Sequence, residues 1–288
     1  MRGLLGVLLV FVLLGGCERR PPAPGVAREQ HRIVAMSPAI GIMLRDLGLE
    51  DRVVGRHAWD LVLDRELPVC GDQAGMDYEA LIGVGPSHVL LEWGKRPLPE
   101  RLSALAGRHG WRVESFELLT LDQIVETTRS LEAMFEVEHP ISGKAAEAFA
   151  ERTPGRLAGA GRILLLMSLD PPSVMGPGSA HHQLLQRIGG TPAIAEGRPF
   201  MYLDAESTAK VSPDGVLIFM PRKRGAPPRE PLSDEQIRQM LGRVAMLHIP
   251  AVERGRVAII DHPLAMIPST SLIEIGAEME RILQAWSE

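Results

Sequence analysis

Residues 75–94 read GMDYEALIGVGPSHVLLEWG, and residues 204–221 read DAESTAKVSPDGVLIFMP. Laid over one another, Glu79, Pro86, Val89 and Leu90 fall on Glu206, Pro213, Val216 and Leu217 with identical internal spacing. In each copy an Asp, Asp77 or Asp204, stands where a helix N-terminus needs a side-chain acceptor, and the Glu follows in the first turn, where the helix dipole favours a carboxylate. Pro86 or Pro213 then stops the helix. The apolar run behind it, HVLL from His88 or VLIF from Val216, is short and unbroken, the pattern of a parallel strand covered on both faces.

One such unit is common in α/β proteins, but a second echo lies upstream of each copy. RIVAMS (32–37) matches RILLLMS (162–168), each an apolar strand ending in Ser and a Pro-containing turn. A helix follows both: the first ends in LRDLG (44–48) and the second in LLQRIGG (184–190), with Gly where a left-handed C-cap is wanted. Strand, helix, Glu-bearing helix and strand therefore occur twice in the same order. This predicts an α/β fold of two similar lobes with mostly parallel sheets.

Composition agrees. A chain of 288 residues, 45% hydrophobic and 23% charged, can bury one large core or two moderate ones. A net charge of −5 argues against a nucleic-acid surface, which needs a basic stripe. The one dense basic run, Arg222, Lys223 and Arg224, reads as a solvated loop.

At the N-terminus, Arg2 precedes an apolar run from Leu4 to Leu14 that is too short to span a bilayer and ends in Gly15, Gly16 and Cys17. An apolar run, two small residues and a Cys resembles the bacterial lipobox. Residues 1–16 are expected to be a lipoprotein signal peptide and Cys17 the lipidated first mature residue. Residues 17–30, rich in Pro and charge, read as a tether. The protein is then expected in the cell envelope, in the periplasm or at the cell surface, touching the membrane through a lipid anchor only. Cys70 is the sole remaining thiol and reads as a buried small apolar residue.

The remaining boundaries are an N-terminal α/β lobe at 31–120, a helical linker at 121–160 and a C-terminal α/β lobe at 161–288. In the linker, the apolar period predicts one helix over 121–138 and a second over 143–153, divided by His139 and Pro140. Strands are expected at 33–36, 53–55, 89–92 and 111–116 in the first lobe and at 163–167, 216–220 and 257–260 in the second. Ligands of parallel sheets sit at the carboxyl ends of the strands. Those ends carry Ser37, Pro38, His57, Trp59, Asp60, Glu92 and Trp93 in one lobe, and Asp170, Met175, Arg222, Asp261 and His262 in the other.

RIVAMSPAIGIMLRDLGLEDRVVG (32–55), GMDYEALIGVGPSHVLLEWG (75–94) and HIPAVERGRVAIIDHPLAMIP (248–268) resemble successive motifs of the periplasmic binding proteins for cobalamin and ferric siderophores, the substrate-binding subunits of ABC importers. The resemblance covers nearly the whole mature chain. It implies two α/β lobes joined by a rigid helical linker, a ligand cleft between them, and docking of one surface Glu per lobe, here Glu79 and Glu206, to an ABC permease. It implies a monomer without a cofactor of its own, whose cargo is cobalamin or a ferric siderophore or other iron chelate. The chain departs from the family pattern at the interrupted linker helix, at the HAWD turn (57–60) in place of an aromatic-Pro turn, and at Pro268, Ser269 and Thr270 in place of Pro-Arg.

The ligand-binding candidates are Ser37, Pro38, His57, Trp59, Trp93, Asp170, Met175, Arg222 and His262. Trp59 and Trp93 offer rigid faces to a bulky apolar ligand, and Arg222 offers charge to an anionic chelate. A competing reading is capture of bare Zn or Mn by His57, His262 and His181 or His182 with Glu92 or Asp261; no close His spacing supports it. A hydrolase is the third class, and the chain shows no G-x-S-x-G, Walker loop or G-x-G-x-x-G after a strand. The expectation is a carrier, not an enzyme.

Overall fold

The computed structural model describes residues 31–230, 232–242, 246 and 248–288; the expected signal peptide, Cys17 and the tether lie outside the described residues. The chain runs through β1 (Ile33–Ala35), α1 (Pro38–Asp46), β2 (Val53–His57), β3 (Val69–Gly71), α2 (Tyr78–Val84), β4 (His88–Leu91), α3 (Glu100–His109) and β5 (Arg112–Ser115). Two helices, α4 (Leu121–Met134) and α5 (Ser142–Ala148), lead to β6 (Arg162–Leu169), β7 (Pro172–Met175), α6 (Ala180–Arg187), β8 (Thr191–Pro192) and β9 (Phe200–Tyr202). Then come α7 (Ala205–Val211), β10 (Gly215–Phe219), α8 (Asp234–Leu241), α9 (Pro250–Glu253), β11 (Val257–Ile260) and α10 (Leu272–Ser287).

The strands form two sheets. The first is parallel throughout, in the order β3-β2-β1-β4-β5. The second has the order β11-β10-β6-β7-β9, with β8 beside the start of β6; β6, β10 and β11 are parallel, and β7 is antiparallel to both β6 and β9. The sequence echo is an echo of register. Ile33, Val34 and Ala35 face His88, Val89 and Leu90, while Ile163, Leu164 and Leu165 face Gly215, Val216 and Leu217.

Period-two alternation on these strands divides the core. Ile33 and Ala35 with Leu90, and Ile163 and Leu165 with Leu217, point to one side of their sheets and join a single cluster with α1, α4, α6 and α10. Val34, Val89 and Leu91 pack on the opposite side with α2 and α3, and Leu164, Val216 and Ile218 do the same with α8 and α9. The two lobes thus share one apolar interior, which resists their separation.

The caps follow the sequence. Asp77 accepts the Glu79 and Ala80 amides, Asp204 accepts the Ser207 amide, and both helices stop on a left-handed residue, Gly85 or Ser212. Cys70 is a buried free thiol, and burial pushes its pKa up to about 11. Among the described residues no helix is long and apolar enough to cross a membrane.

The linker differs from expectation. α4 ends at Met134 and α5 spans only Ser142–Ala148, because Phe135 and Glu136 leave helical geometry before Pro140 is reached, Glu136 with φ 48°. Glu132 then turns the chain back: its carboxylate accepts the amides of Ile141 and Ser142 at 2.6 and 2.7 Å and the Ser142 hydroxyl at 2.5 Å. The connection is a stitched pair of helices.

Candidate functional site

Because β1 and β4 are parallel neighbours, their carboxyl ends bring Ser37 and Glu92 together. The Ser37 hydroxyl accepts the Ala39 amide as the cap of α1 and donates to Glu92 Oε2 at 2.5 Å. Burial around the Glu92 carboxyl raises its pKa, and the Ser37 bond opposes the shift. Pro38 opens α1 at its first position.

Beyond β2 the chain makes a tight turn built by two side chains. His57 is buried and its Nδ1 accepts the Trp59 amide at 3.1 Å, which places the imidazole proton on Nε2. Burial lowers the His57 pKa, against the pull of Asp72 and Asp60. Asp60 Oδ1 accepts the Val62 and Leu63 amides at 2.8 and 2.7 Å. Its Oδ2 rests on Gly41, where a Cβ would lie 2.0 Å away. The turn holds Trp59 out in solvent, 65% exposed.

In the second lobe, the residues after β10 and β11 meet at Asp261. Its carboxylate accepts the Arg229 amide at 2.7 Å and Arg229 Nε at 2.8 Å, and Arg222 Nη1 stands 3.4 Å away while also donating to the Asp261 carbonyl. Burial would raise the Asp261 pKa; the Arg229 bonds and the two guanidinium charges outweigh it and hold the carboxyl below its usual value. His262 accepts the Leu264 amide on Nδ1 and approaches Glu274 through Nε2 at 3.2 Å.

Between the lobes lies a cavity of about 330 Å³, bounded by Arg45, Leu61 and Val62 on one side and by residues 221–224 and 262–264 on the other. Two contacts cross it or run beside it. Arg224 Nη1 donates to the carbonyls of Leu61 and Val62, both at 3.0 Å, and Thr270 donates to Asp46 Oδ2 at 2.5 Å. A wide-open hollow of about 580 Å³ runs separately from the end of β3 to the first turn of α2, lined in part by Asp72, Tyr78, Glu79 and Arg101.

Of the sequence candidates, Arg222 and His262 line the cavity. Ser37, Pro38, His57 and Trp59 sit on the first-lobe strand ends without lining it. Trp93 packs with the α2 and α3 layer, its indole N–H held by the Pro97 carbonyl at 3.0 Å and its ring covered by Arg96. Met175 is in the shared core, and Asp170 is exposed at the tip of the β6–β7 hairpin. The histidines of the bare-metal reading do not converge: His181 bonds the Ala265 carbonyl and His182 the Ile194 carbonyl, both inside the second lobe. Among the described residues no three His, Cys, Asp or Glu side chains form a group that would hold a metal ion. Glu79 and Glu206 are both exposed in the first turns of α2 and α7, and Glu206 pairs with Lys210 at 2.7 Å.

The sequence reading missed Arg45, Leu61, Val62, Lys223, Arg224 and Leu264 as cavity residues. Residues 221–224 and 262–264 directly follow predicted strands, so their position was the available signal; Leu61 and Val62 carried none.

No protein-family model and no curated protein sequence matches the chain. Solved structures do. The periplasmic vitamin B12 binding protein BtuF of Vibrio cholerae aligns at TM-score 0.65 and 16% identity over 90% of this chain and 98% of its own. The periplasmic heme-binding protein RhuT from Roseiflexus sp. RS-1 aligns at TM-score 0.64 and 18% identity over 90% and 99%. The periplasmic heme binding protein HutB of Vibrio cholerae aligns at TM-score 0.68 and 16% identity over 88% and 99%. The chain therefore has the two-lobed α/β fold of these periplasmic binding proteins, over nearly the full length of each.

Proposed function

We propose that this chain is the substrate-binding subunit of an ABC importer, working outside the cytoplasm and capturing cobalamin or a ferric chelate for delivery to a permease. The observation that carries the reading is the doubled unit: two lobes with the same strand register, each presenting one exposed carboxylate, Glu79 or Glu206, at the start of the repeated helix. Two matched charges on a pseudo-symmetric body suit a partner with two equivalent subunits. The cavity is bounded by the residues that follow β10 and β11 in the second lobe and by Arg45, Leu61 and Val62 of the first, and holding cargo there takes affinity and no reaction. At about 330 Å³, the cavity is near the lower limit for small-molecule sites and takes up only part of a macrocyclic cargo.

The same reading assigns Cys17 to the lipid anchor and the strand-end residues Ser37, Pro38, His57, Trp59 and His262 to the cargo surface. Arg222 acts there by positioning the loop, since its guanidinium is engaged by Asp261. The test is a titration of intrinsic Trp fluorescence of the full chain in detergent with cyanocobalamin, haem, ferric citrate, a set of ferric siderophores, and Zn or Mn salts. Saturable binding of a corrinoid or ferric chelate supports the reading; binding of Zn or Mn alone overturns it. Replacing Glu79 and Glu206 together by Ala should abolish uptake while cargo affinity stays unchanged. Cys17→Ala should release the protein from membranes.

A further inference from the structure

The cavity between the lobes has an uneven charge pattern. Four cationic side chains line it, and two of them are already neutralised. Arg45 pairs with Asp46 at 2.6 Å, and Arg222 shares Asp261 with Arg229. Lys223 and Arg224 are different. Among the described residues neither forms an ion pair with a carboxylate, although both border the cavity.

Arg224 is also oriented. Its Nη1 is spent on two neutral carbonyls of the opposite lobe, Leu61 and Val62, which fix the guanidinium across the cavity without cancelling its charge. Nε and Nη2 form the other edge of the planar fork, and no bond among the described residues occupies that edge. This is the geometry that accepts a carboxylate through two parallel hydrogen bonds. The rest of the lining adds apolar contact from Leu61, Val62, Pro221, Pro263 and Leu264. His262 has both ring nitrogens engaged, Nδ1 accepting the Leu264 amide and Nε2 facing Glu274 at 3.2 Å, and offers no lone pair for a metal.

We propose that the cargo is an acidic chelate, an apolar or metal-bearing body with free carboxylates, and that Lys223 and Arg224 are the residues that select it. The inference rests on the carrier reading above and narrows it. A carboxylate laid on the free edge of Arg224 completes a link that joins both lobes through one guanidinium. Lys223, next in the chain and exposed, supplies the second charge. Esterified or uncharged ligands of the same shape gain neither bond.

The experiment uses the full-length protein in detergent and measures dissociation constants for haem, haem dimethyl ester, ferric citrate and cyanocobalamin. It compares the wild type with Lys223→Gln and with Lys223→Gln combined with Arg224→Gln. The expected result is that at least one of the two carboxylate-bearing probes, haem or ferric citrate, binds. The double substitution weakens that binding by about tenfold or more, the single one by less, and, if haem is the ligand, its ester binds about tenfold more weakly than the acid. Lys223→Gln removes a charge from an exposed side chain that makes no bond among the described residues and leaves the Lys223 carbonyl on the Ala226 amide, so its effect reads charge and not folding. Equal affinity of haem and its ester, unchanged affinity in the double variant, or binding of neither acid overturns the proposal. Tight binding of cyanocobalamin alone overturns it while leaving the carrier reading intact, whereas silence of all four probes and of the siderophores sinks both.

Discussion

Arg32 and Arg162 occupy equivalent places in the two lobes and perform the same task. Arg32 donates from Nε and Nη2 to the carbonyls of Gly85 and Val84, and Arg162 donates from Nη2 to those of Ser212 and Val211. Each therefore ties the start of a lobe's first strand to the unsatisfied carbonyls that end the Glu-bearing helix. The amide of each Arg is held by the other end of the same turn, Ser87 Oγ for Arg32 and Asp214 Oδ2 for Arg162. Duplication extends from the pattern of elements to individual hydrogen bonds.

Two short helices of seven residues each have little stability of their own, so these clamps matter locally. Arg32→Ala is expected to cost about 1–2 kcal/mol and to speed hydrogen exchange in α2, with α7 unaffected; Arg162→Ala should do the reverse. Exchange measured by mass spectrometry alongside urea unfolding reads both. Equal acceleration in the two helices from either substitution would refute the local role.

The clamps show what was legible in the sequence. Arg32 and Arg162 open the two echoed strands, and the echo predicted two lobes, their mostly parallel sheets and both Asp caps; which strands pair came only from the structure. Long apolar runs and Gly stops carry such information because they are set by burial and by backbone conformation. The sequence did not reveal β3, β7, β8 and β9. These are two to four residues long, and Pro172, Pro192 and the exposed Phe200 and Tyr202 remove the apolar pattern by which a strand is recognised. The cavity was only half legible. Lys223 and Arg224 read as a solvated loop because nothing local says that Leu61 and Val62 lie across from them; that fact belongs to the packing of the lobes.

The stitched linker gives a second prediction. Glu132 is buried and satisfies two amides and a hydroxyl at the start of α5. Glu132→Ala leaves those donors without a partner in a buried place and is expected to cost about 2–4 kcal/mol, with Glu132→Gln costing less because an amide oxygen still accepts. Urea unfolding followed by circular dichroism measures both. A loss below about 0.5 kcal/mol for the Ala variant would show that the turn is held by its apolar contacts instead.

Gly41 supports the turn that carries Trp59. A Cβ at this position would meet Asp60 Oδ2 at 2.0 Å, Asp60 Cγ at 3.2 Å and Leu63 Cδ1 at 3.3 Å. Gly41→Ala must push Asp60 away and with it the amides of Val62 and Leu63, which its other oxygen holds. The expected cost is about 1–3 kcal/mol. Because Leu61 and Val62 bound the cavity, cargo affinity should fall in the same variant. Wild-type stability and affinity together would show that the turn is free to shift.

Two buried histidines set the acid limit of the fold. His88 is 3% exposed and His181 is 2% exposed. Burial, with smaller help from His31 and Arg112, pushes the His88 pKa down to about 4; burial does the same for His181, to about 4, against its bond to the Ala265 carbonyl. Both are neutral in the fold, while in the unfolded chain each takes up a proton near its ordinary value of 6.5. Unfolding therefore binds protons between pH 6.5 and 4, and these two residues remove stability progressively as the pH falls through that window. Glu92, whose pKa is raised by burial, works in the opposite direction, so the decisive quantity is the change in slope on substitution. His88 stacks edge-on against Phe135 with ring centroids 5.1 Å apart, and its Nε2 has no partner among the described residues, so Phe keeps the ring contacts and gives up one bond, that of Nδ1 with Ser87 Oγ at 2.9 Å. His88→Phe is expected to flatten the dependence of unfolding free energy on pH between 6.5 and 4, measured by urea titrations at several pH values. An unchanged slope would mean that other groups take up the protons and that His88 stays neutral, or charged, in both states alike.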